Sequence, residues 1–263
     1  MEVHHHPHVE KKSFKEYLLE GLMIFLAVSM GFIAENIREH IGDRSKEREY
    51  ILSIKKDLET DTTNLNLWLP AMQGSIRDMD TLVSLLSNPI KINRGNDLYY
   101  LARLSTRTKL FEENDNTLVD LKSSGNFRLI RNKEVINKLI NFEKFKERYL
   151  KLDEVCTTEA EMMYPLISSL FDASVFAKMS TPSIESSISM EQNFAESSKR
   201  FFQKPQGNPQ LRNTKPDLIN QLMYYEIQRK GTFDGEFRIL TIQKKAAIEL
   251  IQLLKKEYHL ENE

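Results

Sequence analysis

The sequence predicts an all-α protein, in which an N-terminal transmembrane helix continues into a long helix and an up-down helical bundle follows. The 263 residues include only 9 glycines and 8 prolines, which is too few for a loop-rich β protein. Apolar residues recur at helical spacing over most of the chain, and no stretch sustains the period of two that a half-buried strand requires. An uncharged apolar run lies near the N-terminus, at residues 21–34.

These patterns divide the chain into three parts. Residues 1–16 form a histidine-containing tail, residues 17–37 a transmembrane anchor, and residues 38–263 a helical bundle domain with a polar loop region near 174–213. The chain is 40% hydrophobic and 29% charged, so it has enough apolar residues for a core. Its formal charge of −1 argues against a dedicated nucleic-acid-binding protein, which would carry a basic surface.

The apolar run GLMIFLAVSMGFIA is about 21 Å long as a helix, and the extension to residues 17–37 brings it to about 31 Å, the thickness of a bilayer core. The extension includes Glu20, Glu35 and Asn36. An acidic residue before the run, the lack of a cleavage site after it and the helical pattern beyond it favour a retained anchor over a signal peptide. A core helix of a soluble protein is the alternative, but the run has no polar face.

One face of the anchor carries an acid and three small residues at spacings of four and three. This face, the small-residue stripe, consists of Glu20, Ile24, Ala27, Gly31 and Ala34. Small residues let helices approach closely in lipid, so the stripe predicts association with a second copy or with another membrane protein. The alternative is that small residues are simply common in transmembrane helices.

The residues before the anchor predict two further contacts. Three lysines flank the span and are candidates for binding lipid headgroups: Lys11, Lys12 and Lys15. Four histidines fall close together and are weak candidates for binding a metal or protons: His4, His5, His6 and His8. No pattern fixes their geometry, and a solvated tail is the alternative.

The bundle begins with an amphipathic helix from Ser45, with an approximate heptad formed by Ile51, Ile54, Leu58, Leu65, Trp68 and Met72. Asp61 occupies one apolar position of this coiled-coil-like seam, and Pro70 predicts a kink or a restart. A short helix at 97–104 follows, and then one at 117–123 that Gly125 ends in a left-handed conformation.

Asn132 is predicted to cap a helix that extends to about residue 171, with a bend at Pro165. A short helix near 192–202 interrupts the polar region. Two closing helices are expected, at 215–229 and at 235–258.

No catalytic or cofactor motif is present in the sequence. It lacks a phosphate-binding glycine loop and the common zinc, serine-hydrolase and dithiol patterns. Cys156 has no nearby histidine and is expected to be a small packing residue. Paired acids are expected on solvated faces, namely Glu112 with Glu113 and Glu159 with Glu161. We therefore expect neither an enzyme nor a cofactor.

Three segments resemble an uncharacterised family of bacterial single-pass membrane proteins that contain a domain of unknown function. They are EVHHHPHVEKKSFKEYLLE (2–20), REYILSIKKDLE (48–59) and TLVDLKSSGNFRLIRNKEVINKLI (117–140). The resemblance implies that the histidines are native. It also implies an inner-membrane location with a cytoplasmic N-terminus and a periplasmic bundle. The family supplies no catalytic residues.

The expected function is therefore that of a membrane-anchored helical scaffold or interaction module. It would self-associate or dock to a membrane complex. One alternative is a membrane-linked sensor of a ligand, a metal or pH, and a second is an enzyme of unknown reaction.

Overall fold

The computed structural model describes residues 13–88, 93–108, 110–180 and 202–260. Its helices are α1 (Phe14–Leu86), α2 (Gly95–Ser105), α3 (Asn116–Ser123), α4 (Lys133–Leu170), α5 (Ala173–Ala177) and α6 (Pro216–Tyr258), with a 3-10 helix at Asn126–Leu129. These residues contain no β-strand, so the all-α prediction is confirmed. The short helix expected near 192–202 lies almost wholly outside the described residues.

The chain divides into two compact units, Met1–Tyr50 and Ile51–Glu263. In the first unit, α1 begins at Phe14, ahead of the expected start of the anchor at residue 17. The backbone N–H of Ser13 donates to the Glu16 carboxylate at 2.9 Å. This acid in the first turn also interacts favourably with the helix dipole.

In the second unit, α1 buries the predicted heptad face. Its six apolar positions, from Ile51 to Met72, are each at most 6% exposed. The helix does not restart at Pro70, which is exposed and lies within a continuous α1. Burial of Trp68, Leu69 and Met72 on either side of Pro70 offsets the roughly 3 kcal/mol that an internal proline costs.

Two apolar clusters show how the long helices run. The Trp68 cluster joins Trp68 of α1 to Phe111, Tyr149 of α4 and Phe233 of α6. The α2 cluster joins the later parts of α1 and α4 to α2 and to the start of α6; among its members are Leu86, Leu98, Leu170 and Leu222.

The order of the residues in these clusters gives the topology. Both α1 and α4 run from the Trp68 cluster towards the α2 cluster, and α6 runs in the opposite direction. Residues 106–108 and 110–115, the return segment, bring the chain back between α2 and α3. Successive stretches therefore run up, down, up and down, although the second is mostly irregular.

Local signals set the ends of α3 and α4 as predicted. Gly125 follows α3 with φ 70°, in the left-handed region. The Asn132 side chain accepts hydrogen bonds from the backbone N–H groups of Glu134 at 2.9 Å and Val135 at 3.2 Å. Helix α4 continues through Pro165 to Leu170.

The expectation of two closing helices is wrong, because α6 is continuous from Pro216 to Tyr258. Its buried positions recur at spacings of four and three across the expected break: Leu222, Glu226, Arg229, Phe233, Glu236, Leu240, Gln243, Ala247, Leu250 and Leu254. Several of these positions hold charged or polar residues, so the apolar pattern looks interrupted although the buried face is not.

Candidate membrane anchor and buried polar site

The N-terminal part of α1 presents large apolar side chains to its surroundings. Ile24 and Phe25 are each 66% exposed, and Phe32 is 73% exposed. None of the most apolar 18-residue stretch of α1 is buried. Water-soluble surfaces rarely carry a contiguous apolar area of this kind. By length and composition, α1 is able to cross a membrane.

The small-residue stripe lies on this part of α1. Ala27, Gly31 and Ala34 are exposed, and Glu20 is half-buried. A Cβ added at Gly31 would meet nothing within 4 Å. Lys15 is exposed in the first turn of α1. The other predicted headgroup ligands, Lys11 and Lys12, and the four histidines of the tail lie outside the described residues.

Sequence patterns missed a second feature, a row of polar side chains inside the bundle. The buried polar row consists of Glu226, Arg229, Glu236 and Gln243, each at most 1% exposed. These residues belong to the buried face of α6, which packs along α4. The available signal was the uninterrupted four-three spacing that puts them in phase with Phe233 and Leu240.

Arg229 is the cation of this row. One of its terminal nitrogens, Nη2, donates to the backbone carbonyl of Arg107 at 2.9 Å. Its Nε and Nη1 are buried and make no hydrogen bond with the described residues, and neither does either carboxylate oxygen of Glu226. Oε1 of Glu236 is also buried and makes no hydrogen bond with the described residues. Folded proteins leave few buried polar groups without a partner, so this concentration is unusual.

Helix α4 brings more titratable groups to the row. Asp153, Cys156 and Glu159 all interact electrostatically with Glu236. Glu159 is half-buried, and its Oε2 is enclosed without a hydrogen-bond partner among the described residues. The expectation that Glu159 lies on a solvated face is therefore wrong, because the adjacent turns of α4 pack against α6.

The return segment carries further polar contacts to the row. Gln243 donates through Nε2 to Glu113 Oε1 at 2.6 Å. Glu113 is half-buried, so the solvated-face prediction is wrong for this residue too, whereas Glu112 and Glu161 are exposed as expected. Phe111 of the return segment is buried in the Trp68 cluster, and this path brings Glu113 within hydrogen-bond distance of α6.

The same segment explains the acid in the α1 heptad. Asp61 is 3% exposed. It accepts hydrogen bonds from Asn114, from the backbone N–H at 3.0 Å and from Nδ2 at 2.6 Å. These hydrogen bonds hold the return segment against α1. Asp61 therefore occupies an apolar position of the seam because its carboxylate makes a tertiary contact.

Burial controls the acidity of the groups in the row. Burial raises the pKa of Glu226 to about 7, against the opposing effect of Arg229. Burial and the neighbouring Asp153 raise the pKa of Glu236 to about 8, while Arg229 and the Cys156 thiol oppose the rise. Burial also raises the pKa of Cys156 to about 12. A thiol of this acidity stays protonated at neutral pH, which fits the predicted packing role of Cys156.

No family model, curated protein or solved structure matches this chain. The family resemblance of residues 48–59 and 117–140 therefore stays a prediction.

The geometry limits the chemistry of the buried site. The described residues contain no group of three or more His, Cys, Asp or Glu side chains that could hold a metal ion. What the row brings together is one guanidinium and several carboxyls away from water. Such a set is able to bind and release protons.

A groove of ≈ 530 Å³ lies between α3 and α4. Its walls include Leu118, Val119 and Phe142. Ion pairs at the groove join Lys122 to Glu143 and Lys146 to Asp115. Because these charges are already paired, apolar contact is the main interaction that these walls offer.

Proposed function

We propose that this chain is a single-pass membrane protein whose helical domain serves as an interaction module. The observation that supports this proposal is the apolar surface of α1, where the most apolar 18 residues are 0% buried. A core helix of a soluble protein would bury this stretch. A cleaved signal sequence would end shortly after its apolar run, whereas α1 continues as one helix to Leu86.

The partner we propose is a second copy of this chain, joined through the small-residue stripe. Ala27 and Gly31 are four positions apart, so they lie one above the other on one helix face. Both are exposed. Two helices that meet at such positions gain close van der Waals contact, which is the main attraction between helices in lipid. Another membrane protein with a similar face is the alternative partner.

The orientation we propose has the N-terminus in the cytoplasm and the bundle in the periplasm of a bacterial inner membrane. Support comes from the family resemblance and from Lys11, Lys12 and Lys15 ahead of the span. Basic residues that follow at 38–48 nearly balance them. Accessibility of a tag at each terminus to a membrane-impermeant reagent tests this orientation, and labelling of an N-terminal tag in intact cells contradicts it.

Two matched double variants test the association. Ala27→Ile with Gly31→Ile fills the small-residue stripe, while Leu26→Ile with Phe32→Ile changes the opposite face and keeps it apolar. Two differently tagged copies are expressed together and purified from mild detergent through one tag. The wild type and the second variant should carry the other copy along, and the first variant should lose it.

Two outcomes count against the proposal. If the wild-type protein is a monomer that retains no other membrane protein, the interaction module is wrong. If the filled stripe still associates like the wild type, the module survives but the stripe is not its contact surface. If alkaline carbonate extracts the wild type from membranes, the proposal that α1 anchors the chain in the membrane is wrong.

A further inference from the structure

The buried polar row is the least expected feature of the bundle, because it occupies positions that would normally hold apolar residues. Leu222, Phe233 and Leu240 lie on the same face of α6 and are fully buried or nearly so. Glu226 and Glu236 lie between them and are 0% and 1% exposed. Holding an ionised carboxylate at such a position is costly unless hydrogen bonds compensate it.

The surroundings do not provide that compensation in full. Both carboxylate oxygens of Glu226 are enclosed and have no hydrogen-bond partner among the described residues. The same is true of one oxygen of Glu236, Oε1. Arg229 is the nearby cation for both acids. It is close enough to interact electrostatically, yet no hydrogen bond among the described residues joins it to either carboxylate, and its Nη2 is already bonded to the Arg107 carbonyl.

Groups on two helices act directly on the charge of Glu236, and the other neighbouring elements add apolar side chains or contacts to Arg229. Helix α4 contributes Asp153, Cys156 and Glu159, and α6 itself contributes Arg229. The phenol of Tyr149, also on α4, interacts electrostatically with Glu236. Helix α1 adds apolar side chains to the Trp68 cluster, which lies alongside: Trp68, Met72 and Met79. The return segment adds the Arg107 carbonyl through Arg229.

Counting charges shows why protonation favours this site. If Glu226, Glu236, Asp153 and Glu159 were all ionised, the guanidinium of Arg229 would leave an excess of negative charge inside the bundle. Protonation of the two most buried acids removes most of this excess and leaves Asp153 and Glu159, which are both only half-buried.

We propose that Glu226 and Glu236 form an internal proton-binding site around Arg229, through which the packing of α4 against α6 responds to pH. Near neutral pH the packed bundle holds these protons, and their loss draws water into the seam and loosens it. This inference concerns the bundle alone and does not depend on the membrane anchor or on association through the small-residue stripe.

The acidity of the two groups gives the sign of the response. Their pKa values, about 7 for Glu226 and about 8 for Glu236, lie above the ordinary value of 4.5. The folded state therefore binds more protons than the unfolded state between about pH 4.5 and about pH 8. Stability is highest at the acidic end of this window, falls as the pH rises, and stops falling above the folded-state pKa values.

Urea unfolding of the full chain in mild detergent, followed by circular dichroism, tests this site. From about pH 5.5 to about pH 8.5 the folding equilibrium constant should fall roughly 200-fold through Glu236 and roughly 30-fold through Glu226. The double variant Glu226→Gln with Glu236→Gln should lose most of this dependence. The control Glu161→Gln changes an exposed acid of α4 and should keep it. Equal pH dependence in the wild type and the double variant overturns the proposal.

A second measurement applies if the double variant does not fold. The infrared band of a neutral carboxylic acid should be present in the folded wild type near pH 6.5, well above the ordinary pKa of a carboxyl group. It should disappear when urea unfolds the protein at that pH. A folded wild type without this band would overturn the proposal, whatever the variant does.

Discussion

Replacing Tyr99 with Phe would remove one oxygen atom that links three parts of the bundle. Tyr99 lies in α2 and is 0% exposed. Its hydroxyl donates to the backbone carbonyl of Gln210 at 3.0 Å and accepts from the backbone N–H of Asp172 at 2.9 Å. The ring packs edge-on against Phe171, with centroids 4.9 Å apart, and Phe at position 99 would keep that contact.

The expected loss follows from the two hydrogen bonds. Each is worth about 1 kcal/mol net, and a shielded partner left unsatisfied adds to the loss, so Tyr99→Phe should lower the free energy of unfolding by about 2–3 kcal/mol. For a domain of this size, 1 kcal/mol shifts the melting temperature by about 2–4 °C. The melting temperature should therefore fall by about 4–12 °C.

Thermal and urea unfolding of the full chain in mild detergent, monitored by circular dichroism, measures this loss. Tyr100→Phe is the matched control, because Tyr100 is half-buried and its hydroxyl makes no hydrogen bond with the described residues. Its variant should stay within about 0.5 kcal/mol of the wild type. If Tyr99→Phe is as stable as Tyr100→Phe, the hydroxyl does not hold the loops at 172 and 210 in place.

Four further substitutions, one of them with a matched control, probe the core, the backbone and the anchor. Leu240→Ala removes a side chain that is 0% exposed and should cost about 2–5 kcal/mol in urea unfolding; a loss below 1 kcal/mol would contradict its core position. Gly231→Ala should stabilise α6 by about 0.5–1 kcal/mol, because a Cβ there meets nothing within 4 Å. Gly95→Ala should instead cost about 3 kcal/mol or more, since its Cβ would lie 2.0 Å from a backbone carbonyl oxygen, and equal melting temperatures for the two variants would refute this contrast. Phe25→Arg should make membrane insertion less favourable by about 3 kcal/mol and lower the carbonate-resistant fraction, whereas Leu67→Arg on the exposed bundle surface should leave that fraction unchanged.

The features that the sequence predicts well are those encoded by near neighbours along the chain. The cap at Asn132 needs only two backbone N–H groups within the next three residues. Gly125 adopts its left-handed φ of 70° because a residue without a Cβ takes this conformation without strain. The heptad of α1 is visible because most of its buried positions are apolar.

The features that the sequence does not predict depend on distant partners. Asp61 resembles a defect in the heptad until Asn114, 53 positions away, supplies its hydrogen bonds. Glu226, Arg229 and Glu236 have residue types that normally face water, so a pattern based on apolar residues alone places the end of a helix among them. They are buried because their spacing puts them in phase with Phe233 and Leu240. This spacing is present in the sequence, but a search for apolar residues alone does not find it.

The return segment has an unusual basis for its order. A helix protects its amides through bonds to carbonyls four residues away, so part of that protection survives local disturbance. In the return segment, the N–H of Phe111 donates to the Tyr149 hydroxyl, 38 positions away, and the N–H of Asn114 donates to Asp61, 53 positions away. Amide hydrogen exchange at these two positions therefore reports how often α4 and α1 release the segment. The exchange rate at each position measures the frequency of bundle opening.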